Sequence, residues 1–223
     1  MDACTMGAWR PAYRLSEARR HVRAELAVRD ALVRTQTRYI ALAKALVRRD
    51  GLWVPTRIAA LDLSPALTAE LAQFFAVYTS LNEQIAAADR RIATAAASDP
   101  IVARLATAPG VGPVTASAFV ATIDDITRFR SAHELEAYMG VVPSERSSGE
   151  KQQLGRILRS KSPATAALRA WTLTIAQRRG KRIAAVALAR RLAGVLYAMW
   201  RDWVPYDAAQ LAPRTTRGQQ RAG

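Results

Sequence analysis

The stretch SPALTAELAQFFAVYTSLNEQIAAADRRI, residues 64–92, sets the fold class. Ser64 offers a capping hydroxyl, and Pro65 follows at the first helical position, where a missing N–H costs nothing because that donor has no partner within the helix. Leu67, Leu71, Phe74, Tyr78, Leu81, Ile85, Ala88 and Ile92 then recur in alternating steps of four and three, the seam of a coiled coil. Upstream, residues 16–49 contain neither Gly nor Pro. Leu26, Val33, Ile40 and Val47 recur there every seven residues beside Leu32, Tyr39 and Leu46, so a second long helix is expected, ended by Gly51. Two such helices can pair with each other or with a second chain, and sustained heptads favour a dimer. The Arg-rich face of the first helix (Arg19, Arg20, Arg23, Arg29, Arg34, Arg38, Arg48, Arg49) reads either as solvated surface or as a nucleic-acid contact.

Beyond Asp99-Pro100 the helices shorten. Residues 101–106 suit a brief helix, Pro109-Gly110-Val111-Gly112 a tight turn, and residues 115–123 a further helix. Ser131-Ala132-His133-Glu134 is a capping box, in which the Ser side chain accepts from the third helical N–H and the Glu reaches back to the Ser N–H. Gly140 ends that helix, and polar residues 143–154 read as an exposed loop. From Pro163 to Trp203 the pattern is helical again with a break at Arg179-Gly180, and Leu192, Val195, Met199 and Trp203 share a face. No convincing strand appears.

The 223 residues carry 33 Lys and Arg against 18 Asp and Glu, a net charge of +15, while half the residues are apolar. That composition argues against wholesale disorder and for a polyanionic partner, most simply nucleic acid; acidic substrates and metal cages are disfavoured. Twelve cations (Lys151, Arg156, Arg159, Lys161, Arg169, Arg178, Arg179, Lys181, Arg182, Arg190, Arg191, Arg201) occur between residues 151 and 201 with no Asp or Glu between them. A folded region of one sign repels itself, and a phosphate backbone is the economical counter-charge. Cys4 is the single cysteine, which excludes intrachain disulfides and multi-cysteine zinc sites and suits a reducing compartment. The longest uncharged stretch, residues 105–123, is broken by Pro109, Gly110, Gly112 and Pro113, so a bilayer span is not expected. The N-terminus lacks the apolar core of a secretion signal, and a cytoplasmic, nucleoid-associated location is expected.

Gly110 and Gly112 expose backbone N–H groups where a second helix begins, a geometry that binds phosphate without regard to base identity. It looks like a helix-hairpin-helix motif. Its candidate DNA-binding residues are Gly110, Val111, Gly112 and Thr115, and a plain interhelical turn is the competing reading. Downstream, SERSSGEK at 144–151 sets a serine before a glycine between Arg146 and Lys151. The glycine would let a phosphodiester approach, and the cations would lower the cost of ionising the hydroxyl; by composition alone the stretch also reads as a linker. Only His21 and His133 are available, so a serine triad is implausible. Asp124-Asp125 is the only adjacent acidic pair outside the long helices, too few acids for two-metal phosphoryl chemistry.

Taken in order, these pieces resemble a known family. The Pro-Gly-Val-Gly hairpin is followed by Ile123, Asp125, Ile126, Arg128 and Phe129, then Leu135, Tyr138, Gly140 and Pro143, then Ser148-Gly149 and Gly155-Arg156-Ile157. The series is similar to the C-terminal transposase domain of the bridge-RNA-guided insertion-sequence transposases related to the Piv invertases, and the likeness extends from about Tyr13 to Trp200, with the long helices resembling that family's central coiled coil. It implies DNA binding and DNA transposition, with Ser148 as the nucleophile that joins covalently to DNA. Arg146, Lys151, Arg156, Arg159 and Lys161 would lie along the DNA, and a guide RNA is an expected partner. The family's metal-binding acids belong to an N-terminal RNase-H-like domain that is expected to be missing here, so Mg2+ is expected only with that domain and no metal ligand is assigned here. Two departures stand out: Thr122 replaces the usual acidic residue before Ile-Gly-Asp-Ile, and Ser162-Pro163 replaces Gly-Asn.

The expected architecture is therefore all-α, with long antiparallel coiled-coil helices (1–97), a helix-hairpin-helix-containing helical domain (98–206) and a disordered tail (207–223). The chain is expected to be a truncated transposase, inactive alone and homo-oligomeric through the coiled coil, with a split enzyme completed in trans as a variant of that reading. The alternative is a non-catalytic dimeric protein that occupies transposon ends or guide RNA. A third reading treats the heptads as the function and the charge as incidental.

Overall fold

The computed structural model describes residues 12–52, 63–140 and 163–207. Among these residues there are seven α-helices and no strand: α1 (Glu17–Arg49), α2 (Pro65–Ser98), α3 (Pro100–Leu105), α4 (Pro113–Ile123), α5 (Ala132–Tyr138), α6 (Pro163–Arg179) and α7 (Lys181–Arg201), with a 3-10 turn at Ile126–Arg128 between α4 and α5. Two compact units can be distinguished, one made of residues up to Ala95 with Ser117–Asp124, the other of Ala96–Ala116 with residues from Asp125 onward.

In the first unit α1 and α2 pack together as an antiparallel pair. The Arg29 guanidinium meets Asp89 at 2.5 Å, the Gln36 amide donates to Asn82, the Tyr39 and Phe74 rings meet edge-on at 5.7 Å, and Arg49 pairs with Glu70 at 2.9 Å, so positions descend on α2 as they ascend on α1. Of the two pairings open to the heptad seam, the chain adopts the internal one. Ser16 caps α1 by accepting from the Arg19 amide, and the Ser64 hydroxyl accepts from the Leu67 amide at the start of α2. The seam is driest near the connection, where Ala43, Val47, Leu67 and Leu71 are buried beneath Leu46, Leu52 and Leu63. Midway along α2, Phe74, Tyr78, Leu81 and Ile85 are only half-buried. Arg29 and Arg49 are engaged with α2, and Arg19 lies 4.0 Å from Asp124. These three arginines therefore do not belong to the free outer face that the sequence suggested for them.

Asp124 fastens the start of α1 to the end of α4. It holds a left-handed backbone conformation, φ 65°, uncommon for a residue with a side chain. Its carboxylate accepts from the Tyr13 hydroxyl at 2.7 Å, the Ser16 amide at 2.8 Å and the Ser16 hydroxyl at 2.7 Å. Burial pushes its pKa up, but the two Ser16 donors, the Tyr13 hydroxyl and Arg19 outweigh that and hold it below the ordinary carboxylate value.

The second unit is built around α7, whose Ala184, Leu188, Ala193, Leu196, Tyr197, Met199 and Trp200 are buried. This helix is long and apolar enough to cross a membrane by length and composition, yet it packs against α3, α5 and α6 as a core helix. Leu168 of α6 and Leu188 of α7 form a cluster with Trp171 and Leu192, and the Tyr197 hydroxyl donates to the Phe129 carbonyl at 3.0 Å. The break between α6 and α7 falls at Gly180, with φ 85°. Two expectations are corrected. α4 begins at Pro113 rather than Thr115, because proline serves as its first residue. At α5 the Ser131 hydroxyl accepts from the Glu134 amide as expected, but the Glu134 carboxylate accepts from the Arg130 amide at 2.8 Å, one residue before the predicted Ser131 donor.

Asp124→Gly keeps the left-handed conformation but removes the carboxylate, and is expected to cost about 1.5–3 kcal/mol at neutral pH, the range for hydrogen bonds to a charged group. Because the folded-state pKa is depressed, this stabilisation is complete above the unfolded value of about 3.9 and is lost as pH falls through the folded value. Urea unfolding from pH 7 to pH 2 should show the wild-type advantage shrinking only below about pH 4; an advantage independent of pH would contradict the assignment.

Candidate nucleic-acid interface

The candidate interface begins at Asp99, whose carboxylate accepts from the Ile101 and Val102 amides at 2.9 and 3.2 Å and so fixes where α3 starts. After Leu105 the chain closes a tight turn through a 3.0 Å bond from the Val111 amide to the Ala108 carbonyl. Pro109 and Gly110 are its central residues, and Gly110 has φ 81°. Proline followed by a positive-φ glycine is the signature of a type II turn. Val111 is 4 % exposed, which anchors the turn, while Gly110 is exposed.

α4 then starts without a side-chain cap. Gly112 has no side chain, and Pro113 has no N–H. The Ala116 amide bonds to the Gly112 carbonyl at 2.9 Å, closing the first helical turn. Among the described residues no acceptor serves the Gly112, Val114 or Thr115 amide. Thr115 is exposed, so its hydroxyl stands as a further donor on the same turn. The structure thus brings Gly110, Val111, Gly112 and Thr115 together at a helix start; the Val111 amide is committed to Ala108, while the Gly112 and Thr115 amides are unspent, the geometry that favours an oxyanion.

Neighbouring groups are committed elsewhere. Arg104 donates to the Trp203 carbonyl and lies over the Trp203 ring, 4.3 Å from its centroid; the Thr107 hydroxyl accepts from the Tyr206 amide at 3.1 Å. The segment after α7 is thereby fixed to the α3 end of the turn. Sequence reasoning missed this contact. Its only local sign is Trp203 in a positive-φ conformation, 57°, which a sequence does not display.

Ser148, Arg146, Lys151, Arg156, Arg159 and Lys161 lie outside the described residues, as do positions 208–223 of the expected tail. Of the cations expected to lack counter-charges, Arg190 meets Glu136 at 2.5 Å and Arg201 meets Asp202 at 2.6 Å, so those two are neutralised by acids from outside the acid-free window. Arg191 lies over the Trp171 ring, 4.8 Å from its centroid. Arg178, Arg179 and Lys181 are exposed around Gly180. Among the described residues no group of three His, Cys, Asp or Glu is placed to hold a metal ion. The best-situated acids serve the fold: Asp124 holds Tyr13 and Ser16, Asp125 holds the Thr127 amide and hydroxyl, and Asp89 holds Arg29. The described carboxylates therefore do not fit a two-metal phosphoryl-transfer centre.

Residues 102–187 match the Transposase IS116/IS110/IS902 family. The chain is 31% identical over 139 residues to a probable family 20 transposase of Pseudomonas aeruginosa, covering 54% of this chain and 41% of that protein. It is 27% identical over 210 residues to the transposase for insertion sequence element IS1111A of Coxiella burnetii, covering 80% and 58%. With the transposase for insertion sequence element IS1328 of Yersinia enterocolitica it shares 31% over 137 residues, covering 57% and 41%. The aligned regions account for between 41% and 58% of the lengths of these relatives.

A Cβ built on Gly112 meets nothing within 4 Å, and no positive φ is needed there. Gly112→Leu is therefore expected to leave helicity and unfolding midpoint near wild type, while its side chain obstructs a phosphate approaching the uncapped amides and weakens duplex DNA binding about tenfold, equivalent to losing one charge-assisted hydrogen bond. Fluorescence anisotropy with a labelled duplex reads this; unchanged affinity in the folded variant would remove the turn from the interface.

Proposed function

We propose, from the match of residues 102–187 to the Transposase IS116/IS110/IS902 family, that this chain binds DNA in insertion-sequence transposition, with the α3–α4 turn acting as a helix-hairpin-helix clamp on one phosphate. The observation that carries the reading is the uncapped start of α4, where Gly112, Val114 and Thr115 amides lack acceptors among the described residues. Arg146, Lys151, Arg156, Arg159 and Lys161 add sequence-independent attraction for the same backbone.

The same reading assigns Ser148 as nucleophile. Its Oγ attacks the scissile phosphorus, the new serine–phosphate ester forms as the bond to one sugar oxygen breaks, and the serine proton ends on the departing hydroxyl. The phosphate count is unchanged, and the ester conserves the energy of the broken linkage for rejoining. Mg2+ would be held by an RNase-H-like domain, whose acids would supply what the described residues do not, and a guide RNA would select the DNA. The protein acts at the nucleoid, in the cytoplasm. Half-buried Phe74, Tyr78, Leu81 and Ile85 support self-association along the α1–α2 pair. The second reading, occupation of transposon ends or guide RNA without cutting, is favoured by the prior commitment of Asp124, Asp125 and Asp89 to internal hydrogen bonds.

Incubating the chain with Mg2+, cognate DNA and an RNase-H-like domain is expected to yield a covalent protein–DNA adduct that Ser148→Ala abolishes. An adduct that survives the substitution would refute the serine assignment, and absence of any adduct would leave the binding reading.

A further inference from the structure

One stripe of α1 is made of only two residue types. Stepping by three or four residues it reads Arg20, Arg23, Ala27, Ala31, Arg34, Arg38, Ala41, Ala45, Arg48, and all nine are exposed. The opposite face carries Ala43 and Val47, which are buried against α2. Arg20, Arg23, Arg38 and Arg48 have no carboxylate partner among the described residues. Arg34 meets Asp30 at 2.6 Å, but both side chains are more than half exposed, so water competes for that pair.

This spacing is unfavourable for an isolated helix. Arg20 and Arg23 are neighbours at i,i+3, Arg34 and Arg38 at i,i+4, and like charges at these spacings oppose helix formation, whereas Glu at one position of each pair would support it. Alanine between the pairs keeps the surface low, and no aromatic ring stands on the stripe to stack an unpaired base. Arg20 to Arg48 spans about 42 Å along the axis, the length of roughly twelve base pairs. We propose that this stripe is a rail for the sugar–phosphate backbone of duplex DNA, distinct from the α3–α4 turn. The proposal rests on the reading of the chain as a DNA-binding transposition protein.

The test uses the full chain and a labelled 30-base-pair duplex of arbitrary sequence, with affinity measured across salt concentrations. Arg20→Gln, Arg23→Gln, Arg38→Gln and Arg48→Gln are combined; glutamine propagates helices about as well as arginine. The slope of log affinity against log salt is expected to become shallower by about three to four, that is by about 0.9 for each phosphate no longer neutralised. The corresponding fourfold Lys variant is expected to restore the wild-type slope. If the fourfold Gln variant loses helicity, the pairs Arg20→Gln with Arg23→Gln and Arg38→Gln with Arg48→Gln are each expected to reduce the slope by about two. An unchanged slope in folded variants, or a change seen with an RNA hairpin but not with duplex DNA, overturns the rail. A Gly112→Leu arm separates the two surfaces: weakening by that variant alone discards the rail and keeps the turn, and weakening by the Arg variants alone does the reverse.

Discussion

The first turn of an α-helix leaves N–H groups that no carbonyl of the same helix can reach, and something else must satisfy them. At α4 the usual device is absent: glycine stands where a capping side chain would stand, followed by a proline without a donor. The preceding turn is held by a bond between Ala108 and Val111 and by burial of Val111, so the amides that follow are presented by fixed backbone. A site of this kind suits an anion whatever groups surround it in the partner.

The structure disposes of its charges in two ways. Some arginines are absorbed: Arg29 and Arg49 tie α1 to α2, Arg190 holds Glu136, and Arg104 lies on Trp203. Others, including Arg178, Arg179 and Lys181 around Gly180, stay exposed. A net charge of +15 therefore overstates the charge of one sign that any single surface presents, and the position of each cation decides what it can meet.

Much of the fold was legible because its signals are local. Ser64 and Ser131 announce helix starts within three residues of the amides they bind, and Gly51, Gly140 and Gly180 take the positive φ that ends or breaks a helix. Contacts between distant positions were not legible. Nothing near Asp124 indicates that its carboxylate meets Tyr13 and Ser16 more than a hundred residues earlier, or that Trp203 covers Arg104. Heptads likewise fixed which residues face a partner helix without choosing between an internal partner and a second chain, since both satisfy the same apolar periodicity. At the candidate interface, Gly110, Val111, Gly112 and Thr115 were legible as one cluster because the turn that unites them is contiguous in sequence.

The most direct measurement is amide chemical-shift mapping of the folded chain as a short DNA duplex is added at two salt concentrations. Saturable movement of the Gly112, Val114 and Thr115 signals, with an affinity that falls as salt rises, is the predicted result. Binding detected elsewhere on the chain while those three signals stay in place would contradict the account.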